Sequence, residues 1–294
     1  MSKKRLFLRK LNKVKFIKKG ILTTFQDLGK NGLRHLGVNP SGAMDKLSAR
    51  LLNILLQNDE NEPVLEMHFP AAEILFEEDC TIVIGGADFM PIIDNQTITN
   101  WKVSKVKTGS ILKFKKRVSG NRTYLATKKS KNQDFLPYLG NSFVRQVSNL
   151  SNGIEIRFIK GNEHQLLIEK SKQNLENQVF TISQNSNRMG FRLKSEPLEI
   201  ENKIELVSSA VDFGTIQLLP DGQIIVLMAD HQTSGGYPRL GNVISIDLPI
   251  LAQCGVNDVI TFKSVLLEEA EELFILQEKE IQKLKASIRF FYGK

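Results

Sequence analysis

The chain has 294 residues, more than a single hydrophobic core comfortably encloses, so two domains are expected. Its composition, 41% hydrophobic and 24% charged, excludes a disordered chain. The net charge of +8 is local, because the first 20 residues hold nine Lys and Arg and no acid. A second acid-free basic stretch, residues 101–132, lacks the regularly interleaved aromatic residues of a nucleic-acid-binding surface, so we expect no nucleic-acid partner.

Cysteine usage and hydropathy exclude further classes of protein. Cys80 and Cys254 lie far apart without a Cys-x-x-Cys or Cys/His cluster, which predicts buried, reduced thiols and no metal site. The sequence has no run of eighteen apolar residues, and its N-terminus, MSKKRLFLRKLNKVKF, alternates basic with apolar residues. We therefore expect neither a membrane span nor a signal-peptide core, and a cytoplasmic location.

The first elements are a basic N-terminal arm, residues 1–13, and a strand from Val14 to Thr24. A turn-rich loop, QDLGKNGLRHLGVNPSGAMD, comes next, with glycines and prolines between short apolar points. A helix is then predicted, because leucines recur at helical spacing (Leu47, Leu51, Leu52, Leu55 and Leu56). Asp45 is expected to cap its start and Asn58 to close its end.

Short runs rich in Val, Ile, Phe and Thr follow at spacings of about ten residues, a rhythm typical of a β-sandwich or barrel. The first set is VLEMHF, AEILF, CTIVIGG, ITNWKV, SILKF and RTYLAT; the second is GIEIRFIKG, QVFTIS, GTIQLL, QIIVLMA, NVISIDL and DVITFK. A polar interval from Lys128 to Gly153 separates them, so we predict two mainly β domains, residues 14–150 and 151–294. An amphipathic helix from Leu267 to about Phe291 is expected to end the chain, packing on its own domain or binding a partner.

Four sequence blocks occur in order along the chain: GILTTFQDLGKNGLRHLGVNPSGAMD, TIVIGGADF, SNRMGFRL, and GTIQLLPDGQIIVLMADHQTSGGYPRLGNVISIDLPILAQCGVNDVITF. In these blocks the chain resembles the biotin-dependent carboxyltransferase and 5-oxoprolinase C-subunit family. Its members include Kip-type proteins, allophanate hydrolase subunit 2 and the carboxyltransferase domain of urea carboxylase. The last block is the most specific, because it combines Gln-Thr-x-Gly-Gly-Tyr-Pro with a downstream aspartate and Leu-Ala-Gln.

The resemblance implies a mainly β (α+β) fold of two cyclophilin-like β-barrel domains with a few helices and a substrate cleft between the domains. It implies the C-subunit of an ATP-dependent 5-oxoprolinase, which opens 5-oxoproline to glutamate together with an A-subunit and a Kip-type B-subunit. ATP would then bind in the complete complex. One alternative is transfer of a carboxyl group from carboxybiotin to a small amide such as urea, and another is a non-catalytic regulator that binds a Kip-type histidine-kinase inhibitor.

Two features bear on this choice. The chain contains no ATP-grasp region and no Ala-Met-Lys-Met biotin-attachment sequence, which favours the separate subunit over a self-contained urea carboxylase. The stretch TYLATKKSKNQDFLPYLGNSFVRQ departs from the family pattern, since only Leu139, Gly140, Ser142 and Arg145 remain recognisable. The divergent loop from Leu139 to Gln146 therefore leaves the substrate's identity open.

The sequence ADHQTSGGYPRLG has the features of a ligand-binding loop. Gly235 and Gly236 let a ligand approach the backbone closely, while Gln232, Thr233 and Tyr237 offer neutral donors and acceptors that suit an amide. Backbone N–H groups in such a loop stabilise an oxyanion. A tight β-turn with a buried tyrosine is the competing interpretation. The resemblance favours catalytic roles for Gln232 and Thr233, and substrate binding by the other three.

The turn-rich loop supplies further candidates. We predict that Asp27 transfers a proton and that Gln26 and Ser41 bind substrate. Asp45 stands at a helix start, where an anionic ligand is stabilised, although N-capping alone also explains an aspartate there.

Two arginines lie in SNRMGFRL. Arg188 is predicted to grip a substrate carboxylate in bidentate fashion, a group that 5-oxoproline carries and urea lacks. Arg192 could also grip this carboxylate, but it follows Phe191 in a predicted strand, and a side chain that faces solvent is the competing interpretation. Asp230 and His231 are neighbours in a strand and therefore point to opposite faces, which argues against a catalytic dyad. The sequence has neither a phosphate-binding Gly-Lys-Ser loop nor a dinucleotide fingerprint.

Overall fold

The structure is a computed structural model, and it describes residues 14–30, 32–129, 137, 139, 154–202 and 206–292. The basic arm and the part of the divergent loop at residues 140–146 lie outside the described residues. The chain divides into two compact units. The N-terminal unit comprises Met1–Leu28, Asp45–Asn149 and Glu280–Lys294, and the C-terminal unit comprises Gly29–Met44 and Leu150–Lys279. Each unit thus includes a segment from the other half of the sequence.

The N-terminal unit is mainly β. Its strands among the described residues are β1 (Val14–Lys18), β2 (Thr23–Gln26), β3 (Val64–Met67), β4 (Glu73–Phe76), β5 (Cys80–Asp88), β6 (Pro91–Ile93), β7 (Gln96–Thr97), β8 (Ser104–Val106), β9 (Ile111–Phe114) and β10 (Ser119–Lys129). They form two five-stranded sheets in the orders β1-β4-β9-β6-β7 and β2-β3-β10-β5-β8. In β4, Ile74 and Phe76 are buried while Glu73 and Leu75 are partly exposed, the alternation expected of a strand with one face in the core.

Helix α1 (Lys46–Leu55) confirms the helix predicted from the leucine spacing, and its leucines are buried. Asp45 caps it as expected, because its carboxylate accepts the Ser48 N–H at 2.8 Å and the Ser48 hydroxyl at 2.5 Å. The helix ends at Leu55, before the predicted end at Asn58. The Asn58 side chain instead donates to Asn53 Oδ1 at 3.2 Å.

The strand predicted at ITNWKV was wrong, since the chain turns at residues 100–101 and β8 begins only at Ser104. Trp101 has a φ of 63°, which interrupts an extended backbone, and its N–H donates to the Ile84 carbonyl at 2.7 Å. The buried indole lies against Gly85, where an added Cβ would be 2.7 Å from the ring. The glycine therefore makes room for the tryptophan, and this contact replaces strand pairing.

The C-terminal unit is built around a closed barrel. Its strands among the described residues are β11 (Ile154–Lys160), β12 (Phe180–Ile182), β13 (Gly190–Lys194), β14 (Ser209–Ala210), β15 (Thr215–Leu218), β16 (Ile224–Leu227), β17 (Ser234–Gly235), β18 (Arg239–Val243) and β19 (Val259–Ser264). Its helical elements among these residues are α2 (Glu169–Asn177), α3 (Leu248–Gln253), the 3₁₀ turns Arg34–Leu36 and Asn162–Leu166, and the first part of the C-terminal helix described below. Seven strands close the barrel in the order β11-β18-β15-β16-β13-β12-β19, and β14 pairs with β17 separately.

The strand predicted at NVISIDL is displaced towards the N-terminus, because β18 already ends at Val243. The buried Asp247 carboxylate accepts the Arg157 N–H at 2.8 Å and Arg157 Nη2 at 2.6 Å. The Ile244 N–H still donates to the Arg157 carbonyl at 3.0 Å, but the Asp247 N–H donates back to the Ile244 carbonyl at 3.0 Å, so the chain turns there and α3 begins directly afterwards.

Alternate residues of the barrel strands form its core. In β15, Ile216 and Leu218 join the apolar cluster, so Thr215 and Gln217 lie on the opposite, outer face. Both polar residues are nevertheless buried, at 2% and 1% exposure. Gly235 lies against Gln217, so the segment around this glycine covers part of the outer face of the barrel at β15.

Helix α4 (Leu267–Tyr292) confirms the predicted C-terminal helix. Ile281 and Ile288 on its predicted apolar face are buried, whereas Phe274 is 45% exposed. Within the described ranges, every helix is too short or too polar to cross a membrane. The fold is thus mainly β with a C-terminal helix, as predicted.

Candidate functional site

The loop Gly29–Met44, part of the C-terminal unit, is closed at its base. Gly29 has a φ of 91°, and an added Cβ there would be 2.5 Å from the Ser41 carbonyl oxygen, so only glycine fits. The Lys30 N–H donates to the Pro40 carbonyl at 2.7 Å. Ser41 itself adopts a φ of 55°, an uncommon conformation for a residue with a side chain. The backbone of the loop thus holds Ser41 in a fixed position.

Asp230 ties this loop to the barrel. Its Oδ1 accepts the Ser41 hydroxyl at 2.6 Å, and its backbone carbonyl accepts Asn39 Nδ2 at 3.3 Å. Arg188 donates to the same carboxylate through Nε at 2.7 Å and Nη2 at 3.1 Å. The same Nη2 donates to the Gly42 carbonyl at 2.6 Å. One carboxylate and one guanidinium therefore join the loop to the chain after β16 and before β13.

The electrostatics of this pair favour the charged forms. Burial raises the pKa of Asp230, but the hydrogen bonds from Arg188 and Ser41 outweigh it, and the pKa lies below its ordinary value of 3.8. The Arg188 side chain is only 13% exposed. Arg188 already has a bidentate carboxylate partner, so its predicted contact with a substrate carboxylate would require it to exchange Asp230 for the ligand.

Residues Gln232–Tyr237, hereafter the glycine segment, follow Asp230 directly. Gln232, Thr233, Gly235 and Gly236 are half-buried, and Tyr237 is 44% exposed, so the competing interpretation with a buried tyrosine is wrong. A small ligand therefore has access to polar side chains and glycine backbone in one short stretch.

Contacts at both ends hold the glycine segment in place. β17 pairs with β14, and the Val211 N–H donates to the Thr233 carbonyl at 3.3 Å. Arg34, in the loop Gly29–Met44, donates to the Val211 carbonyl at 3.5 Å and to the Asp212 carboxylate. The loop and the glycine segment are thus joined through residues 211–212.

At the far end, Arg239 forms a bidentate pair with Glu163, with Nε at 2.9 Å and Nη2 at 2.7 Å. The Leu218 N–H also donates to the Pro238 carbonyl at 2.9 Å, which ties this end to β15. The glycine segment is therefore held by β14 and Val211 on one side of its glycines and by β15 and Glu163 on the other.

Asp230 and His231 lie between β16 and β17, not in a strand, so the argument that strand geometry separates their side chains was wrong. His231 is buried, with Nδ1 2.5 Å from the Gln232 carbonyl oxygen, while the Asp230 carboxylate bonds to Arg188 and Ser41. Arg192 is exposed in β13, which agrees with the interpretation that it faces solvent. A dyad between Asp230 and His231 is thus not formed.

The remaining predicted residues belong to the N-terminal unit. Gln26 ends β2 and donates to Thr24 Oγ1 at 3.1 Å, and Asp27 follows it, half-buried. Asp45 is fully buried, and its N–H donates to the Tyr124 hydroxyl at 2.9 Å. Ser41, Arg188 and the glycine segment are therefore brought together in one unit, whereas Gln26, Asp27 and Asp45 lie in the other.

Of the two cofactors that the resemblance implies, ATP and carboxybiotin, only carboxybiotin suits the chemistry of the glycine segment. Arg34, Arg188 and Arg239, which hold the region together, are each paired with a carboxylate. The glycine segment therefore does not fit a triphosphate, which needs uncompensated cations, whereas its neutral groups accept an amide or a ureido ring. Within the described residues, no group of three or more His, Cys, Asp or Glu side chains is arranged to hold a metal ion.

Two residues of this region were missed by the sequence analysis as site residues. Asp230 follows the buried strand β16 by three residues, but its neighbour His231 suggested only a dyad. Gln217 is the one amide in the run GTIQLL, and strand alternation predicts an outward side chain in solvent rather than a buried one.

The comparisons with known proteins place the chain in a family. The family described as "Carboxyltransferase domain, subdomain A and B" matches residues 36–142 and 129–264. The 5-oxoprolinase C-subunit of Haemophilus influenzae is 34% identical over 85% of this chain and 90% of its own length. The Escherichia coli protein of the same name is 32% identical over 87% of this chain and 93% of its length. The chain therefore belongs to the carboxyltransferase-domain family, and within it to the group similar to the 5-oxoprolinase C-subunit.

A solved structure shares the fold. The Kluyveromyces lactis urea amidolyase has a TM-score of 0.82 at 21% identity, covering 92% of this chain and 20% of the amidolyase. This similarity concerns the fold alone.

Proposed function

We propose that this chain is the C-subunit of an ATP-dependent 5-oxoprolinase, in which it binds 5-oxoproline at the glycine segment and helps to open it to glutamate. The observation that carries the proposal is the nearly full-length similarity to the two proteins named as 5-oxoprolinase C-subunits. The partners would be an A-type subunit and a Kip-type B-subunit, in the cytoplasm. ATP would bind outside the glycine segment, on the partner subunits.

Lactam opening requires water to attack the carbonyl carbon, the C–N bond to break, and a proton to reach the nitrogen. In this proposal Gln232 and Thr233 donate to the carbonyl oxygen as negative charge develops on it. Gly235 and Gly236 let the ring approach the backbone, and Tyr237 and Ser41 complete the binding site. Arg188 positions the loop through Asp230.

The residues of the N-terminal unit keep their predicted roles as part of the proposal. Asp27 would assist proton transfer, while Gln26 and Asp45 would bind substrate. Asp45 is the weakest of these candidates, because its carboxylate is buried and already accepts two hydrogen bonds from Ser48.

Carboxyl transfer from carboxybiotin to a small amide is the second candidate. The family description and the fold shared with urea amidolyase favour it. The neutral amides of the glycine segment suit urea as well as a lactam, so this region does not separate the two substrates. A non-catalytic regulator is a further outcome of the test below.

The test is purification of the tagged chain with the A- and B-type subunits of its host, followed by assay of 5-oxoproline-dependent ATP hydrolysis and glutamate release. We expect turnover that is lost when this chain is omitted. Gln232→Ala should lower kcat/KM about tenfold, the effect of one lost hydrogen bond, whereas Gln184→Ala, at an exposed position after β12, should not.

Other results would redirect the proposal. A complex that ignores 5-oxoproline but carboxylates urea when given carboxybiotin would establish the second candidate. Tight binding of the B-type subunit without turnover of either substrate would favour the regulator.

A further inference from the structure

The amide nitrogen of Gln217 is buried without a hydrogen-bond partner. Gln217 is 1% exposed, and Nε2 finds no acceptor among the described residues. A buried donor left unsatisfied destabilises a protein, and an apolar side chain of similar size would avoid that cost. An amide at this place therefore costs stability that no contact within the described chain offsets.

Gln217 points at the glycine segment. It lies on the outer face of β15, since its neighbours Ile216 and Leu218 belong to the barrel core. An added Cβ on Gly235 would be 2.8 Å from Gln217 Nε2 and 3.4 Å from Gln232 Nε2. Two amide nitrogens, one from the barrel wall and one from the segment, thus approach the same side of Gly235.

A β-bulge lies in the strand that pairs with β15 next to Gln217. Between the pairs Ile216–Gly241 and Gln217–Arg239, β18 contains one extra residue, Leu240. Such bulges bend a strand and re-aim side chains, and they are frequent beside binding sites. The bulge is opposite Gln217, the residue with the unsatisfied donor.

We propose that Gln217 and Gln232 form a donor pair that binds the carbonyl oxygen of the substrate beside Gly235. A carbonyl oxygen has two lone pairs and accepts both N–H groups, and the oxyanion formed on attack has a third lone pair that accepts the Thr233 hydroxyl. Neither donor is charged, so the pair suits a neutral lactam or amide rather than a phosphate. Gly235 is required because a side chain there would fill the space between the donors. The assignment of the oxygen to the substrate rests on the proposed function.

Binding is tested first, without turnover. The full chain is labelled with ¹⁵N-glutamine, and the side-chain NH₂ signals are assigned from Gln217→Met and Gln232→Met. Titration with 5-oxoproline, 2-pyrrolidinone and urea should shift the Gln217 and Gln232 signals together and saturably, while that of exposed Gln184 stays still. No saturable shift of Gln217 with any of the three probes would overturn the proposal.

Variants of the complete complex then separate a binding role from a structural one. Gln217→Met removes the unsatisfied donor, so we expect a higher Tm together with a KM for 5-oxoproline raised about tenfold. Thr215→Val is the matched control on β15, because Thr215 donates to Asn242 Oδ1 at 2.7 Å and accepts from the Asp212 N–H at 2.9 Å. It should lower Tm and leave KM unchanged.

The outcomes distinguish the two proposals. A Gln217→Met variant with lower Tm and unchanged KM would make Gln217 structural and refute the donor pair. If the wild-type complex does not turn over 5-oxoproline while urea or 2-pyrrolidinone still shifts the Gln217 signal, the proposed function fails and the donor pair stands.

Discussion

The Asp230 carboxylate accepts hydrogen bonds from both Arg188 and Ser41 of the loop Gly29–Met44. We therefore expect its charge to contribute more to the free energy of unfolding than the charge of an exposed ion pair does. Asp230→Asn keeps the shape but removes the negative charge that Arg188, 13% exposed, contacts through Nε and Nη2. We expect the free energy of unfolding to fall by about 2 kcal/mol at neutral pH, measured by urea denaturation. The control is Glu155→Gln, which breaks an exposed 4.0 Å contact with Lys263 and should cost less than about 0.5 kcal/mol.

The same pair predicts a pH dependence. The pKa of Asp230 in the folded state lies below the ordinary value of 3.8, so its stabilising contribution is complete above that value and is lost as the pH falls through the folded-state pKa. The difference in stability between wild type and Asp230→Asn should therefore be constant at neutral pH and shrink on acidification below about pH 4. A difference that stays constant into acid would show that the carboxylate is not held charged by Arg188.

For single residues, the sequence indicated which side chains belong to the candidate site, but not which side chains they bond to. Ser41 and Arg188 were both expected at a site, but their shared partner Asp230 is 189 and 42 positions away from them. Local spacing carries no information about such pairs. The burial of Gln217 could not be predicted for a related reason, because it depends on which distant segment covers the outer face of β15.

At the scale of elements, the C-terminal helix shows how burial decides the cost of one substitution. Ile281 and Ile275 have the same side chain on the same helix, but Ile281 is 0% exposed and Ile275 is 49% exposed. Ile281→Ala should therefore lower the free energy of unfolding by about 3 kcal/mol through lost burial and a new cavity. Ile275→Ala should change it by less than about 1 kcal/mol, and both are measured by denaturant unfolding. Equal losses would mean that Ile275 is covered in solution.

Periodicity predicted most elements, because it reports which face of a segment is buried. The leucines of α1 and the β-branched runs of β4, β11 and β16 follow their expected periods. The turn at Trp101 depends on its contact with Gly85, and the early end of β18 coincides with the turn in which the Asp247 N–H donates to the Ile244 carbonyl. Such contacts override an apolar pattern, and sequence spacing does not reveal them.

At the scale of the whole molecule, the two units exchange segments along the chain, so neither half of the sequence contains a complete unit. The C-terminal unit includes Gly29–Met44, and Met44 is fully buried in its core cluster. A fragment of residues 151–294 lacks Met44, and it also lacks Ser41 and Gly42, which bond to Asp230 and Arg188. The loss of one large core side chain alone costs about 2–5 kcal/mol, a substantial part of the stability of a domain.

We therefore expect the fragment 151–294 alone to melt at a much lower temperature than the intact protein, or without a cooperative transition, in scanning calorimetry. Co-expression with residues 1–150 should restore a cooperative transition, because the loop Gly29–Met44 is then supplied in trans. A first fragment carrying Met44→Asp is the matched control and should fail to restore it, since an unpaired carboxylate would have to enter the barrel core. If the fragment 151–294 by itself melted like the intact chain, the loop would contribute nothing to the stability of the C-terminal unit, and the Asp230 pair would have to be explained by ligand binding alone.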